Sequence, residues 1–423
     1  MHTTAQTLFD RIESMPIYDT HEHLPLRPSL RIRPADVLTE YLSHYFDKDL
    51  ISAGMPKSIL EQALDTTVNI ETRFAALEPW WDLCRFTGYG QSLDESVRGL
   101  YNEKRIDRTT IGRINEQFQK NLDDPGYFRT VLKDRCHICK SINDGFAHMK
   151  GTGWSDDELF AQVLRLDGYL DQWHWVFPVL ESYGEDMHTL DGYLAAVKAD
   201  LLASPSYGYR GYKLGVAYSR PLRFGKVSKA DAQIAYTDMI KRMEKDPYAG
   251  TPILLQDYIL HFCLSVLQEM GAFVQIHTGF QEGNGNIVSN SDPMLLTDLF
   301  LEYPALRFDL FHIGYPYVQT CGVLGKLFPN VTIDFAWVNI ISPLAAENAL
   351  AEYLDVVPRN KIMAFGGDYL FVDGIYGHQC MARRMVARAL ARKVDAGIMD
   401  LEAAEHTAKM LLHDNVLDKL LIK

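Results

Sequence analysis

The stretch Ile17-Tyr18-Asp19-Thr20-His21-Glu22-His23-Leu24 predicts the first strand of the fold and a candidate metal site. Side chains alternate between the two faces of a strand, so His21 and His23 project to the same side, roughly 6–7 Å apart at the backbone. Two imidazoles that converge in this way can bind one metal ion. A His-x-His pair also arises by chance, and the rest of the chain decides between these two interpretations.

The composition is that of a well-packed soluble protein. Of the 423 residues, 47% are hydrophobic and 23% are charged, and the formal net charge is -13. This negative charge argues against nucleic acid or an anionic membrane as a partner, and we expect a small-molecule substrate. The six cysteines are scattered, and there is neither a basic-then-apolar leader nor an apolar run of bilayer length. We therefore expect a cytoplasmic protein with reduced thiols.

Residues 27–132 differ in character from the rest of the chain. They are rich in charged and aromatic residues and show helical patterns at Pro56–Leu64, Glu71–Phe86 and Ile111–Asn121, with no convincing strand. We predict a helical insertion that caps a site. The remainder, residues 1–26 and 133–423, is predicted to form one barrel domain.

After residue 132, strand-like and helical patterns alternate. The strand-like runs are Cys136–Ile142, His174–Leu180, Gly211–Ala217, Ala272–His277, Arg307–His312, Val331–Ala336 and Lys361–Phe365. Helical patterns lie between them, including residues 157–166 between the first two, and a last helix over residues 400–421 closes the chain. Such alternation predicts parallel strands joined by helices. With the first strand there are eight β units, which predicts an α/β fold of the (β/α)₈ TIM-like barrel type with a helical insertion after the first strand. A doubly wound open sheet is the alternative.

Polar residues fall where the strands of such a barrel end. His277 follows strand five, His312 follows strand six, Asp368 follows strand eight, and Lys213 lies in strand four. Reactive side chains of these barrels lie at the C-terminal ends of the strands. Any one of these residues fits a buried core position, but together with the first-strand histidines they predict ligands of a shared cation, because buried polar groups need partners. Histidines with one carboxylate suit a catalytic divalent ion.

These motifs resemble the amidohydrolase superfamily of metal-dependent (β/α)₈ barrels. The His-x-His pair, the histidines of strands five and six and the aspartate of strand eight match it residue by residue. The stretches Gln275–Gly279 with Asn284–Asn286, and His312–Tyr317, resemble nodulin-related amidohydrolase domains, the amidohydrolase 2 type. The helical insertion after the first strand is similar to that of uronate isomerases.

The resemblance implies roles for the strand-end residues. It implies His21, His23, His277 and Asp368 as ligands of a divalent metal ion, with zinc expected first and manganese, iron or nickel as alternatives. It also implies Asp368 as the general base. For His312 it leaves two roles open, a ligand to a second ion or a donor that polarises the substrate.

Lys213 carries a further alternative. Superfamily members with two ions bridge them through a carbamylated lysine or a glutamate on strand four, and Lys213 lies near that position. Its spacing to Tyr218 and Arg220 equally suits a lysine that binds an anionic substrate, so we favour one metal ion over two. We therefore predict that Lys213, Arg220 and Tyr315 contact the substrate.

The expected activity is metal-dependent hydrolysis of a C–N or ester bond in a small, polar, carboxylated substrate. The same barrel supports aldose–ketose isomerisation of a uronate or a nonoxidative decarboxylation, because fold alone does not choose among these reactions. A non-catalytic metal-binding scaffold ranks last, since none of the expected ligands has been lost from the sequence. A homo-oligomer is expected.

Overall fold

Eight parallel strands in sequential order form the sheet in the computed structural model, which describes residues 3–145 and 158–420. The strands are β1 (Ile17–Glu22), β2 (Ile138–Asn143), β3 (Phe160–Arg165), β4 (Tyr209–Leu214), β5 (Phe273–Ile276), β6 (Arg307–Leu310), β7 (Val331–Asp334) and β8 (Ile362–Met363). Backbone hydrogen bonds join β1 to the chain after β8: Thr20 N–H donates to Phe365 O at 3.1 Å and Asp368 N–H donates to His21 O at 2.8 Å. The predicted (β/α)₈ barrel is confirmed, and the open sheet is excluded.

Helices surround the sheet and fill the insertion. Helix α1 (Thr4–Ile12) precedes β1, and the insertion contains α2 (Val37–Tyr41), α3 (Phe46–Ser52), α4 (Lys57–Leu64), α5 (Ile70–Cys84), α6 (Gly88–Tyr101), α7 (Ile111–Leu122) and α8 (Tyr127–Arg129). The later helices are α9 (Asp167–Leu170), α10 (Trp173–Glu181), α11 (Leu190–Ala203), α12 (Lys229–Met243), α13 (Ile253–Glu269), α14 (Thr297–Glu302), α15 (Val318–Leu327), α16 (Val338–Ile341), α17 (Pro343–Val356), α18 (Val372–Asp395), α19 (Leu401–Lys409) and α20 (Asn415–Leu420). None of the helices in the described ranges is long and apolar enough to cross a bilayer.

The third strand was predicted in the wrong place. His174–Leu180 lies within helix α10, whose buried residues Trp173, Val176 and Leu180 follow the spacing of a helix face. The strand is Phe160–Arg165, inside residues 157–166, which were predicted to be helical; residue 157 itself lies outside the described ranges. This strand is buried along nearly its whole length, so it lacks the alternation that identifies a half-buried strand. The other seven predicted strands overlap strands of the sheet.

The insertion packs onto the barrel through a buried carboxylate. Asp373, in the first turn of α18, accepts hydrogen bonds from Tyr41 Oη at 2.9 Å, Tyr127 Oη at 2.8 Å and Tyr101 Oη. All three tyrosines belong to the insertion, and all are buried. The segment between β1 and β2 is helical as predicted, while its status as a separate domain stays a prediction.

Candidate metal centre

His21, His23 and Asp368 converge at the C-terminal end of the barrel. His21 Nε2 lies 3.4 Å and His23 Nε2 lies 3.2 Å from Asp368 Oδ1. One donor atom from each residue lies within 4.8 Å of the others. His21 and Asp368 are 1% and 5% exposed, so these donor atoms have little water to hydrate them. Burial opposes the charge of Asp368, but the facing imidazoles hold the pKa of its carboxylate well below the usual value.

The chain around Asp368 is held in a backbone conformation that non-glycine residues rarely adopt. Asp368 has a φ of 58°, in the left-handed region. The preceding Gly367 donates its N–H to Asp19 Oδ1 at 3.1 Å, and a side chain at Gly367 would collide with the Glu22 carboxylate. Burial raises the pKa of Asp19 to about 6, and burial with the neighbouring Asp19 raises the pKa of Glu22 well above its usual value. These two acids of β1 therefore position the turn that presents Asp368.

His277 and His312 form a second pair of imidazoles in the same site. His277 Nε2 lies 2.8 Å from Phe280 O, and His312 Nδ1 lies 2.8 Å from Ala336 O. A carbonyl oxygen only accepts hydrogen bonds, so each of these nitrogens carries the ring proton. The remaining nitrogens, His277 Nδ1 and His312 Nε2, face each other at 3.1 Å. Burial lowers the pKa of His312 to about 4 and that of His277 well below its usual value, so neither ring gains a second proton at neutral pH.

The donor set fits a divalent metal ion. His23 Nδ1 lies 2.8 Å from Asp144 O and so carries a proton, and in the neutral ring the lone pair of Nε2 is directed at the carboxylate of Asp368. Two acceptors at this distance repel each other unless a cation lies beside them. Metal bonds of about 2.0–2.2 Å at tetrahedral angles separate neighbouring ligand atoms by roughly 3.3–3.6 Å. The separations of 3.4 and 3.2 Å from Asp368 Oδ1 to the two imidazoles are close to this range.

A cavity of about 260 Å³ opens onto these donors. Its lining residues come from strand ends and from the insertion: His21, His23, His44, Tyr45, Arg165, Lys213, Gly215, Tyr218, His277, Glu282, Trp337 and Asp368. Lys213 Nζ is buried without a hydrogen-bond partner among the described residues and lies 3.5 Å from the centre of the Phe311 ring. Burial lowers the pKa of the Lys213 ammonium to about 8. A desolvated cation therefore stands in the wall of the cavity.

A known family model matches part of this chain. Residues 245–415 match the amidohydrolase family model, and this range includes His277, His312 and Asp368. The resemblance to the amidohydrolases is confirmed. Protein fluG of Emericella nidulans is 24% identical over 231 residues, which are 52% of this chain but only 26% of fluG. The chain thus spans about a quarter of the length of that curated relative.

Solved structures share the barrel fold over nearly the whole chain. A uronate isomerase from Thermotoga maritima has a TM-score of 0.79 at 18% identity, with 99% of this chain and 97% of that chain covered. A glucuronate isomerase from Caulobacter crescentus has a TM-score of 0.77 at 18% identity, covering 99% and 94%. A protein from Lactobacillus casei ATCC 334, provisionally assigned as a metal-dependent hydrolase, has a TM-score of 0.68 at 16% identity, covering 98% and 97%. At these identities the likeness concerns the fold.

The amidohydrolase-like barrel brings most of the predicted site residues together. His21, His23, His277 and Lys213 line one cavity with Asp368, and His312 lies behind it against His277. Their roles as ligands or catalytic groups stay predictions.

Two predicted substrate residues lie outside this cavity. Arg220 forms a buried ion pair with Asp257, with 2.7 Å between Nη2 and Oδ1, and also donates to the backbone oxygen of Arg223 at 2.6 Å. Tyr315 is half-buried and packs against the apolar core. Neither side chain belongs to the lining of the metal cavity.

The cavity of this amidohydrolase-like protein also includes residues without a predicted role. His44 and Tyr45 reach it from the insertion, where no strand-end pattern marks them, and their rings stack at 3.6 Å. Arg165 ends β3 and pairs with Asp144 at 2.8 Å. Arg165 was not predicted as a site residue because its segment was predicted to be a helix. Trp337 follows β7, and this position after a strand is the one sequence feature that could have identified it as a site residue.

Proposed function

We propose that this protein is a metal-dependent hydrolase that cleaves a C–N or ester bond of a small carboxylated substrate. The observation that carries the proposal is the convergence of His21, His23 and Asp368 in one cavity with His277, which His312 contacts from behind. An amidohydrolase-type barrel with hydrolase and isomerase neighbours supports an enzyme. Among the reactions that such a barrel supports, we propose hydrolysis.

The site residues would hold a divalent ion, and zinc is our first choice because three or more imidazoles with one carboxylate suit it. Manganese, iron and nickel remain alternatives. Once bound, such an ion makes water acidic near neutral pH and polarises a carbonyl oxygen. We favour one ion over two, because the charge and position of Lys213 suit an anionic group of the substrate.

Asp368 acts as the general base in this proposal. Its low pKa keeps it ionised at neutral pH, and its carboxylate faces the cavity. It accepts a proton from the attacking water and passes the proton to the leaving group. Tyr45 Oη donates to the backbone oxygen of Asp368 and so helps to hold the main chain that carries this carboxylate.

The hydrogen bonds of His312 argue against its predicted role as a donor to the substrate, and with one ion in place of two they suit a ligand of that single ion. Its Nδ1 proton is committed to Ala336 O, so Nε2 is a lone-pair donor to a cation rather than a hydrogen-bond donor to an oxyanion. His277 Nδ1 has the same character. We therefore assign both imidazoles to cation binding.

Lys213 binds the carboxylate of the substrate. Its ammonium group has no hydrogen-bond partner among the described residues, and an anion that reached it would satisfy a buried charge. With a pKa of about 8, Lys213 is mainly protonated at neutral pH. Arg165 lines the same cavity, but its guanidinium already pairs with Asp144.

Isomerisation of a uronate is the second candidate. It is favoured by the full-length structural likeness to two uronate-type isomerases and by the two insertion residues, His44 and Tyr45, that line the cavity. Decarboxylation ranks below it, and a non-catalytic scaffold ranks last. We also propose a small-molecule substrate, a homo-oligomer and a cytoplasmic location. Six unpaired cysteines support the cytoplasmic location.

Product analysis in ¹⁸O-labelled water separates these reactions. Zinc-loaded and manganese-loaded protein are incubated with N-acyl amino acids, lactones of sugar acids, and uronates. Hydrolysis incorporates one labelled oxygen into a new carboxyl group, isomerisation gives one product with the substrate's mass once label exchanged into its carbonyl oxygen is subtracted, and decarboxylation releases carbon dioxide. We expect label in the carboxyl product. A product of unchanged mass from a uronate, with no cleavage of the other compounds, would replace the hydrolase with the isomerase.

A further inference from the structure

A second cavity adjoins the metal cavity. It has a volume of about 290 Å³, and Tyr45 and Glu282 line both cavities. Each volume alone lies just below the range of roughly 300–1,000 Å³ that is typical of ligand sites, whereas the two joined lie within it. The shared walls place the second cavity directly beside the reaction site.

The walls of this cavity come from two parts of the chain. Helix α3 of the insertion supplies Lys48, Asp49 and Ser52, and residues 280–288, which follow β5, supply the opposite wall. The two walls touch: Asn284 Nδ2 donates to Lys48 O at 3.3 Å, and Lys48 Nζ lies 3.6 Å from Glu282 Oε1. The insertion therefore completes a cavity that the barrel alone would leave open.

Negative charge exceeds positive charge in this lining. Asp49 and Glu282 carry carboxylates, and Lys48 is the one cation among the described lining residues. Lys48 is engaged more closely by Asp47, at 2.6 Å, than by Glu282. Asp49 Oδ2 is buried without a hydrogen-bond partner in the described part of the chain. Burial raises the pKa of both Asp49 and Glu282, and the more distant contact of Lys48 with Glu282 only partly opposes the rise at Glu282.

Aromatic rings form the rest of the wall. Tyr45, Tyr89 and Phe280 line the cavity, and the rings of Tyr45 and Tyr89 stack with 5.1 Å between their centres. Ring faces attract organic cations, most strongly where water is scarce. Carboxylates beside aromatic rings are thus suited to an ammonium group, whereas they would repel a second carboxylate.

We propose that this second cavity binds a positively charged amine at the far end of the substrate. The substrate is then an elongated zwitterion: its carboxylate lies near Lys213, its reacting bond lies at the metal centre, and its ammonium group lies between Asp49 and Glu282. This proposal rests on the proposed function for the place of reaction, and it adds the chemistry that selects the substrate.

Binding of unreactive zwitterions tests the proposal without turnover. The probes are 4-aminobutanoate, 6-aminohexanoate and 8-aminooctanoate, each paired with the hydroxy acid of the same length. Their affinities for the zinc-loaded full chain are measured by titration calorimetry. We expect at least one amino acid to bind about tenfold more tightly than its hydroxy acid, the equivalent of about 1.4 kcal/mol. Equal affinities in every pair, or no measurable binding of any amino acid, would overturn the proposal.

Charge-neutralising variants localise the effect. Asp49→Asn and Glu282→Gln alter opposite walls, and each is expected to abolish the preference for the amine while the hydroxy acids bind as before. Glu61→Gln removes an exposed charge from α4 of the same insertion and should leave the preference intact. Thermal unfolding checks each fold, and Glu282→Gln carries the test if Asp49→Asn is unstable. An amine preference that survives in both variants contradicts the assigned site.

The cavity proposal and the proposed function can fail independently of each other. If the protein shows no metal-dependent hydrolysis but keeps an Asp49-dependent preference for amines, the hydrolase proposal fails and the cation cavity stands. If it hydrolyses carboxylated substrates with no preference for an amine, the cavity proposal alone fails.

Discussion

Two buried aspartates follow β8 in quick succession, and their surroundings are opposite. Asp373 is 0% exposed and accepts hydrogen bonds from three tyrosine hydroxyls, so every polar group in that cluster has a partner. Asp368 is 5% exposed and faces imidazole nitrogens, two of which are fixed as acceptors by the carbonyl oxygens of Asp144 and Ala336. One cluster is complete as it stands, and in our proposal a cation completes the other.

The contrast teaches how to separate a structural polar cluster from a functional one in the same fold. Burial is similar in both, and both join elements distant in sequence. The difference lies in the balance of donors and acceptors, because an unmatched acceptor in the interior is costly. On this argument, changes at Asp368 affect chemistry and changes at Asp373 affect stability.

The largest expected effect is that of Asp368→Asn on turnover. An amide cannot accept the water proton, so we expect kcat to fall about 10³-fold, within the range observed for loss of a general base. The rate is measured on the best substrate from the product screen, and urea unfolding checks the fold. Asp238→Asn, at an exposed position of α12, is the matched control and should keep full activity. Activity within a few-fold of the unaltered protein would remove Asp368 from the role of base.

Asp373→Ala should instead destabilise the junction between insertion and barrel. It leaves three buried hydroxyls without their acceptor, and we expect the free energy of unfolding to fall by about 3–5 kcal/mol. Urea titrations give this value, and metal content is measured on the same preparation. The comparison is supported if the variant is unstable but still binds metal below its unfolding range. Loss of metal from the folded variant would show that the two clusters are not independent.

The smallest effect is expected for Lys213→Met, on the affinity for carboxylates. Losing the ammonium should weaken binding of a substrate carboxylate about tenfold at pH 7. Burial lowers the pKa of Lys213 to about 8, so its charge, and the affinity it provides, are present below pH 8 and lost as the pH rises through it. Calorimetry across this interval should show the affinity decline in the unaltered protein and a flat profile in the variant. A parallel decline in both would assign the titration to another group.

The barrel could be predicted from the sequence because its strands are short apolar runs that alternate regularly with helical patterns. It failed at the third strand, where two apolar segments compete. His174–Leu180 is apolar enough for a strand, yet its buried positions follow a helical period, and Trp175 is 68% exposed. Phe160–Arg165 is buried on both faces and shows no alternation. Short apolar runs of this kind are ambiguous without tertiary contacts.

That error also hid part of the site. The reactive residues of a barrel are predicted from the ends of its strands. Because β3 was predicted in the wrong place, Arg165 at its end was not predicted as a site residue. His44 and Tyr45 could not be found by this rule, because the turn between α2 and α3 of the insertion places them there. Arg220 was selected by its spacing from Lys213, and the structure instead pairs it with Asp257. Strand-end residues were therefore predictable, while residues brought in by tertiary packing were not.

Metal content tests the central claim most directly. The protein and a His21→Ala/His23→Ala variant are purified without chelator, and the bound metal is measured by plasma mass spectrometry beside thermal unfolding. We predict about one equivalent of zinc, manganese, iron or nickel per chain, absent from the variant, and a melting temperature that rises with added metal only in the unaltered protein. Protein that is free of metal and stays empty after reconstitution, or a variant that keeps its metal, would contradict the assignment of this site.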